Sequence, residues 1–209
     1  MKFFVYEHVV GGGFAGKKIP SSIVCDGYGM LEALILDSKA LGHHVTTTLD
    51  LRLKSLCTQL KANKTFYISS PNDRERLMDK LTSMVDLTII IAPETNGSLS
   101  ETVNKVEENG CLTLNCPHKT LERFSSKSSI YDVLESVNVP IPRTLKIPLD
   151  SSLREVKTIV ESLEYPVVFK PEDGAGCGGL SVVKNRYQIG YALEKIRQES
   201  SASHFLVQE

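Results

Sequence analysis

The chain has 209 residues, of which 41% are hydrophobic, 7% aromatic and 23% charged; these proportions exclude disorder, collagen and coiled-coil arrays and leave one large or two small globular domains. Its formal net charge of −1, from 24 Lys and Arg against 25 Asp and Glu, supplies no global field that would draw it onto nucleic acid or an anionic membrane. Five scattered cysteines with no C-x-x-C pair indicate neither a disulfide framework nor a zinc site, which fits a cytoplasmic protein, and no apolar run approaches the ~20 residues that span a bilayer.

In chain order, β-branched and aromatic runs predict strands over 3–6, 45–49, 65–68, 87–92 and 111–114. Helical spacing lies between them. Residues 28–41 carry Met30, Leu31, Leu34, Ile35 and Leu41 and close at Gly42; 72–84 follow Ser70-Pro71 with Leu77, Leu81 and Met84 on one face; 98–109 carry Leu99, Val103 and Val106 before Gly110. Alternating strands and helices predict a Rossmann-like α/β domain with a largely parallel sheet. The unbroken apolar run DLTIIIAP reads as its central strand, buried on both faces.

The texture changes at Cys116-Pro117, which sets domains at 1–115 and 116–209. Ile130, Val133, Leu134 and Val137 lead into Val139-Pro140-Ile141-Pro142, a run no helix interior accommodates. Beyond it we read strand 145–147, helix 153–163, strand 167–170, a glycine loop, strand 180–184, helix 187–199 and strand 205–208. Two strands joined directly by a loop predict an antiparallel, α+β second domain. The last strand is expected to leave an unpaired edge.

The first glycine cluster, residues 11–18, follows a strand and satisfies G-x-G-x-x-G. Lys18 stands where a P-loop needs Ser or Thr, and Lys17 to Ser22 separate the glycines from any helix that could face a pyrophosphate. It reads as a flexible surface loop or as one that closes over a small substrate. Glu7, Asp50, Arg52, Glu94 and Asn115 stand at strand ends, where an open parallel sheet presents ligands; as a set they predict a site for a small carboxylated or zwitterionic substrate. Each one alone reads equally well as a loop residue or a helix cap.

The second cluster is more informative. Gly174, Gly176, Gly178 and Gly179 lie between two strands, where a hairpin turn needs only one or two glycines. A loop nearly without side chains lets successive amides cover phosphate oxygens, and Lys170 ends the preceding apolar strand with a charge beside it. These residues predict phosphate binding.

The order KSSIYDVLESVNVPIPRT (127–144), YPVVFKPEDGAGCGG (165–179) and FLVQE (205–209) resembles the ATP-grasp superfamily. The resemblance implies a pre-ATP-grasp domain over 1–115 and the N-terminal part of an ATP-grasp domain over 116–209. Lys127 and Lys170 would contact ATP phosphates, Gly174 to Gly179 would cover them, and Gln208 and Glu209 would meet the nucleoside. Ser126 stands where the family usually has Asp. Magnesium is implied with ATP, its ligands expected beyond Glu209, in a continuation or a separately supplied C-terminal half; the expected partners are that half or a homo-oligomer. The N-terminal segments YEH, GGGF, PSSI, DGYGML and APETNG are similar to archaeal tyramine-glutamate ligase-like proteins. The implied activity is that of an ATP-dependent carboxylate-amine ligase working through an acyl phosphate on a small amino acid or amine, with Lys170 as its catalytic residue. The rival reading is a nucleotide-binding or regulatory module without catalysis.

Overall fold

Strand β1 (Lys2–Glu7) takes an inner place in a parallel sheet and is buried from Phe3 to Glu7. The sheet order is β3-β2-β1-β4, with β2 (His44–Asp50), β3 (Lys64–Ile68) and β4 (Leu87–Ile91) running in the same direction. Alternation along β1 serves both faces. Val5 joins Leu31 and Ile35 of α1 (Val24–Ala40). On the other face, Phe4 and Tyr6 join Met78 and Leu81 of α2 (Pro71–Thr82) and Val103 and Val106 of α3 (Ser98–Glu108). This is the Rossmann-like α/β arrangement that the alternating pattern predicts. The start of α2 follows the same local logic: Pro71 is its first residue, and Ser70 Oγ accepts from Asp73 N at 3.1 Å.

The computed structural model describes residues 1–57, 60–173 and 177–209. They form two compact units, Met1–Pro93 with Gly97–Leu121, and Glu94–Asn96 with Glu122–Glu209. Within the first unit two expectations change. β4, read from its apolar run as the central strand, ends the sheet on the side opposite β3; Thr88 and Ile90 are buried, and Leu87, Ile89 and Ile91 only partly. Residues 111–114 make a single parallel bridge, Thr113 to Thr88, instead of a strand. Leu112 and Leu114 project outward at 70% and 66% exposure, so no packed surface supports a longer ladder. Asn115 extends the pairing with its side chain: Oδ1 accepts from Ile90 N and Nδ2 donates to Ile90 O, each at 2.9 Å.

After α4 (His118–Arg123) and α5 (Lys127–Ser136), the second unit builds an antiparallel sheet of order β5-β8-β6-β7. Its strands are β5 (Thr144–Pro148), β6 (Val167–Pro171), β7 (Ser181–Val183) and β8 (His204–Gln208). One face is sealed by α6 (Leu153–Val160) and α7 (Ile189–Glu199), whose Val156, Val160, Ile189, Leu193 and Ile196 meet Ile147, Val167, Phe169, Phe205 and Val207. Phe169 and Phe205 stack with ring centroids 5.6 Å apart. Burial of each side chain of this size contributes about 2–3 kcal/mol. β8, expected to leave an open edge, lies between β5 and β6 and is paired on both sides, so β5 and β7 form the edges. Among the described residues no helix is long and apolar enough to cross a membrane.

Candidate functional site

Four of the residues expected to face a small substrate lie at strand ends of the first unit, and each has an internal partner. Glu7 is 1% exposed and takes Val10 N on Oε2 at 2.7 Å; a Cβ added to Gly27 would lie 2.8 Å from that oxygen. Burial pushes the Glu7 carboxyl pKa up. Asp50 and Arg52 pair at two points, Nε to Oδ1 at 2.8 Å and Nη2 to Oδ2 at 2.7 Å. The same guanidinium donates to the carbonyls of Lys17 and Phe14 at 2.7 and 2.8 Å, and so clamps the glycine turn. Asn115 completes the rim of β4 as described above. The sequence-level picture of an open, ligand-facing set did not foresee these internal bonds.

The first half of the first glycine cluster is a packed turn, whereas Gly16, Lys17 and Lys18 are exposed. Gly11 and Gly12 are buried, Gly11 N donates to Glu7 O at 2.7 Å, and Thr48 Oγ1 donates to Gly11 O at 2.9 Å. Gly12 has φ +99°, which a residue with a side chain rarely adopts.

His8, 8% exposed, sits in this turn with its ring edge-on to Phe14, and its buried Nδ1 has no hydrogen-bond partner among the described residues. Burial first, then the charges of Arg74 and Lys17, push the imidazole pKa down to about 4. An unfolded His titrates near 6.5, so the unfolded chain takes up the proton first as pH falls. Stability held by the neutral ring is therefore present above pH 6.5 and is lost as the pH falls through about 4. The raised Glu7 carboxyl adds a slope of opposite sign that is common to wild type and His8 variants. Urea unfolding across this window is expected to show a shallower loss in His8→Leu than in wild type; equal slopes would contradict the buried neutral imidazole.

In the second unit, alternation turns Thr144, Lys146, Val168, Lys170, Leu206 and Gln208 to the face opposite the α6 and α7 core. Strand register sets Lys146, Leu206 and Lys170 in one row and Thr144, Gln208 and Val168 in the next. Lys170 Nζ donates to the Tyr131 phenol at 2.7 Å and to Gln208 Oε1 at 2.6 Å, and Gln208 Nε2 donates to Thr144 Oγ1 at 2.9 Å. The ammonium is also 5.2 Å from the Tyr131 ring centroid.

Lys127 opens α5, one turn before Tyr131. Ser126 Oγ caps the helix by accepting from Ser129 N at 3.2 Å, a service Asp would perform equally well. A lysine in the first turn opposes the helix dipole. Here that position brings the ammonium to the root of the glycine hairpin: Lys127 N donates to Glu172 O at 3.2 Å and Nζ to Asp173 O at 3.3 Å. Burial and then the nearby Lys170 charge push the Lys127 pKa down, against Asp173, Glu94 and Tyr131, which raise it. Glu94 is the one strand-end candidate that falls in this unit. Burial raises the Tyr131 phenol, but its hydrogen bonds to Lys170 and Gln208 and the two lysine charges outweigh it, and the net shift is downward.

Both roots of the hairpin are anchored. On the entry side, the Glu172 carboxylate receives Lys146 Nζ at 2.6 Å and the Ser128 hydroxyl, and Asp173 Oδ1 accepts from Ser200 Oγ at 3.0 Å. Gly174 and Gly176 lie outside the described residues. Gly178 is exposed. Gly179 has φ +69°, a Cβ there would lie 2.7 Å from the Pro171 ring, and its N–H donates to Glu199 Oε2 at 2.6 Å, which fixes the return of the chain. The Glu209 carboxylate turns to Glu164 N at 3.3 Å and Arg143 at 3.8 Å, so Gln208 alone of the pair shares the lysine face. A groove of about 430 Å³ opens beside it, lined by Tyr131, Thr144, Lys146 and Leu206 among others. Sequence reasoning missed Tyr131, Thr144, Lys146 and Glu172. Two ammonium groups converging beside a glycine hairpin suit a polyanion, and among the described residues no side chain there is set up as a nucleophile.

Residues 43–121 match the family model described as pre ATP-grasp 3 domain, and residues 126–208 match that of the carbamoyl-phosphate synthase L chain, ATP binding domain. Pyruvate carboxylase of Pichia angusta is 26% identical over 156 residues, which cover 69% of this chain and 13% of that protein. The biotin carboxylase domain of Hydrogenobacter thermophilus 2-oxoglutarate carboxylase, solved with MgADP, ADP and bicarbonate, shares the fold at a TM-score of 0.67 and 17% identity, over 99% of this chain and 43% of that one. A protein of Archaeoglobus fulgidus described under the ATP-grasp superfamily does so at a TM-score of 0.61 and 20% identity, over 100% of this chain and 52% of that one. The chain thus spans about half or less of the length of these proteins.

Proposed function

We propose, from the ATP-grasp superfamily that both family models and the shared fold support, that this chain is the nucleotide-binding portion of an ATP-dependent ligase. The observation that carries the reading is the convergence of Lys170 from β6 and Lys127 from α5 at the root of a glycine hairpin, on the face of the second sheet opposite α6 and α7. ATP supplies the phosphoryl group: a substrate carboxylate oxygen attacks the γ-phosphorus as the bond to ADP breaks, and an amine then displaces phosphate from the acyl phosphate. Lys170 and Lys127 offset the phosphate charge and hold the transfer in line. A small amino acid or amine as acceptor follows from the resemblance to tyramine-glutamate ligase-like proteins, and a further half or subunit would complete the site.

Magnesium accompanies the nucleotide in the biotin carboxylase domain named above. Among the described residues no three His, Cys, Asp or Glu side chains come together in a group that could hold a metal.

Calorimetric titration of the chain with ATP and with NAD, each with and without magnesium, tests the reading. Saturable ATP binding with no NAD binding is expected. Absence of ATP binding, or binding of NAD alone, would overturn it.

A further inference from the structure

We infer that Tyr131 and Gln208 are positioning residues that aim the Lys170 ammonium at a phosphate, and that Gln208 acts on the phosphates through Lys170. The inference rests on the nucleotide reading above and deepens it. An ammonium has three N–H donors on a flexible four-carbon stem, so its direction must come from outside the side chain. Among the described residues two of the three donors go to Tyr131 Oη on α5 and Gln208 Oε1 on β8. With two acceptors placed by separate elements, the orientation of the third donor is set.

The direction of each bond in this network is fixed from its far end. Thr144 Oγ1 donates its proton to Pro142 O at 2.8 Å, so toward Gln208 that oxygen acts as an acceptor. Gln208 must therefore present its NH₂ to Thr144 and its carbonyl to Lys170. Turning the amide over to offer its other edge to a base would break both bonds in a side chain that is only 9% exposed. Lys170 then runs from a locked amide to the phenol. Tyr131 stands one helical turn after Lys127, so α5 delivers both the second cation and an acceptor for the first. Neither Tyr131 nor Gln208 needs to touch the nucleotide to affect how its phosphates bind.

The test measures binding of tripolyphosphate, adenosine and ATP to the chain and to Tyr131→Phe, Gln208→Met, Lys170→Met and the corresponding double variants. Tyr131→Phe keeps the ring and removes only the hydroxyl. Each of the Tyr131 and Gln208 variants is expected to weaken tripolyphosphate by about tenfold and to add nothing once Lys170 is Met, and Tyr131→Phe is expected to leave adenosine unchanged. If Gln208→Met weakened adenosine and ATP but not tripolyphosphate, Gln208 would be a nucleoside contact and the inference would be overturned. Undiminished tripolyphosphate binding in Tyr131→Phe would also overturn it. So would losses that persist in full beside Lys170→Met, because they would mark general structural damage. A wild-type chain that binds none of the three probes overturns the nucleotide reading and this inference together; normal wild-type binding with unaffected variants overturns the inference alone.

Discussion

Lys170→Met is expected to weaken ATP binding about a hundredfold, a loss of about 3 kcal/mol. The substitution removes a charge-assisted donor to phosphate. It also strands two acceptors, Tyr131 Oη and Gln208 Oε1, which bond to the ammonium at 2.7 and 2.6 Å. Lys127→Met is expected to cost less, about tenfold, because its backbone anchor to Glu172 O survives the change and holds the helix start beside the hairpin. Titration of the two variants side by side would show this order. Wild-type affinity in Lys170→Met would remove the basis for assigning phosphate to this face.

The second large effect is on stability. Gly11→Ala is expected to destabilise the first unit by about 3 kcal/mol and to lower its thermal midpoint by roughly 10 °C. The added Cβ would lie 2.2 Å from the Glu7 carbonyl oxygen and 3.2 Å from Thr48 Oγ1. These atoms belong to β1 and β2, which are already tied to the turn: Gly11 N reaches Glu7 O at 2.7 Å and Asp50 N reaches Val10 O at 2.7 Å. The clash is with backbone, so no rotamer change relieves it. A Gly11→Ala chain that melted with wild type but bound less nucleotide would reverse the assignment and restore the first cluster as a phosphate loop.

Most elements are legible in the sequence because apolar spacing and caps are local signals. Ser70-Pro71 and the stop at Gly110 place α2 and α3 to within two residues. Topology is less legible. The run DLTIIIAP is apolar enough for a central strand, yet β1 takes the inner place because β2 and β4 both pair with it. Insertion of β8 between β5 and β6 is announced by no residue pattern, and it is this order that brings Thr144, Gln208 and Lys170 together.

At the candidate site, Lys127 and Lys170 stand out because each is a charge in an otherwise apolar or helix-opening setting. Tyr131 carried one usable signal, its i,i+4 spacing from Lys127, but its partner lies on another element. The strand-end set is legible as positions but not in its bonding: Asp50 with Arg52, and Glu7 with Val10 N, satisfy each other within two or three residues, which polarity at a strand end does not announce.

The most direct measurement is lysine reactivity toward an amine-acylating reagent, read peptide by peptide with and without saturating ATP. ATP is expected to protect Lys127 and Lys170 together and to leave Lys157 on α6, behind the opposite face, as reactive as before. Unchanged reactivity of Lys127 and Lys170 with ATP bound would contradict the claim that this face of the second sheet holds its phosphates.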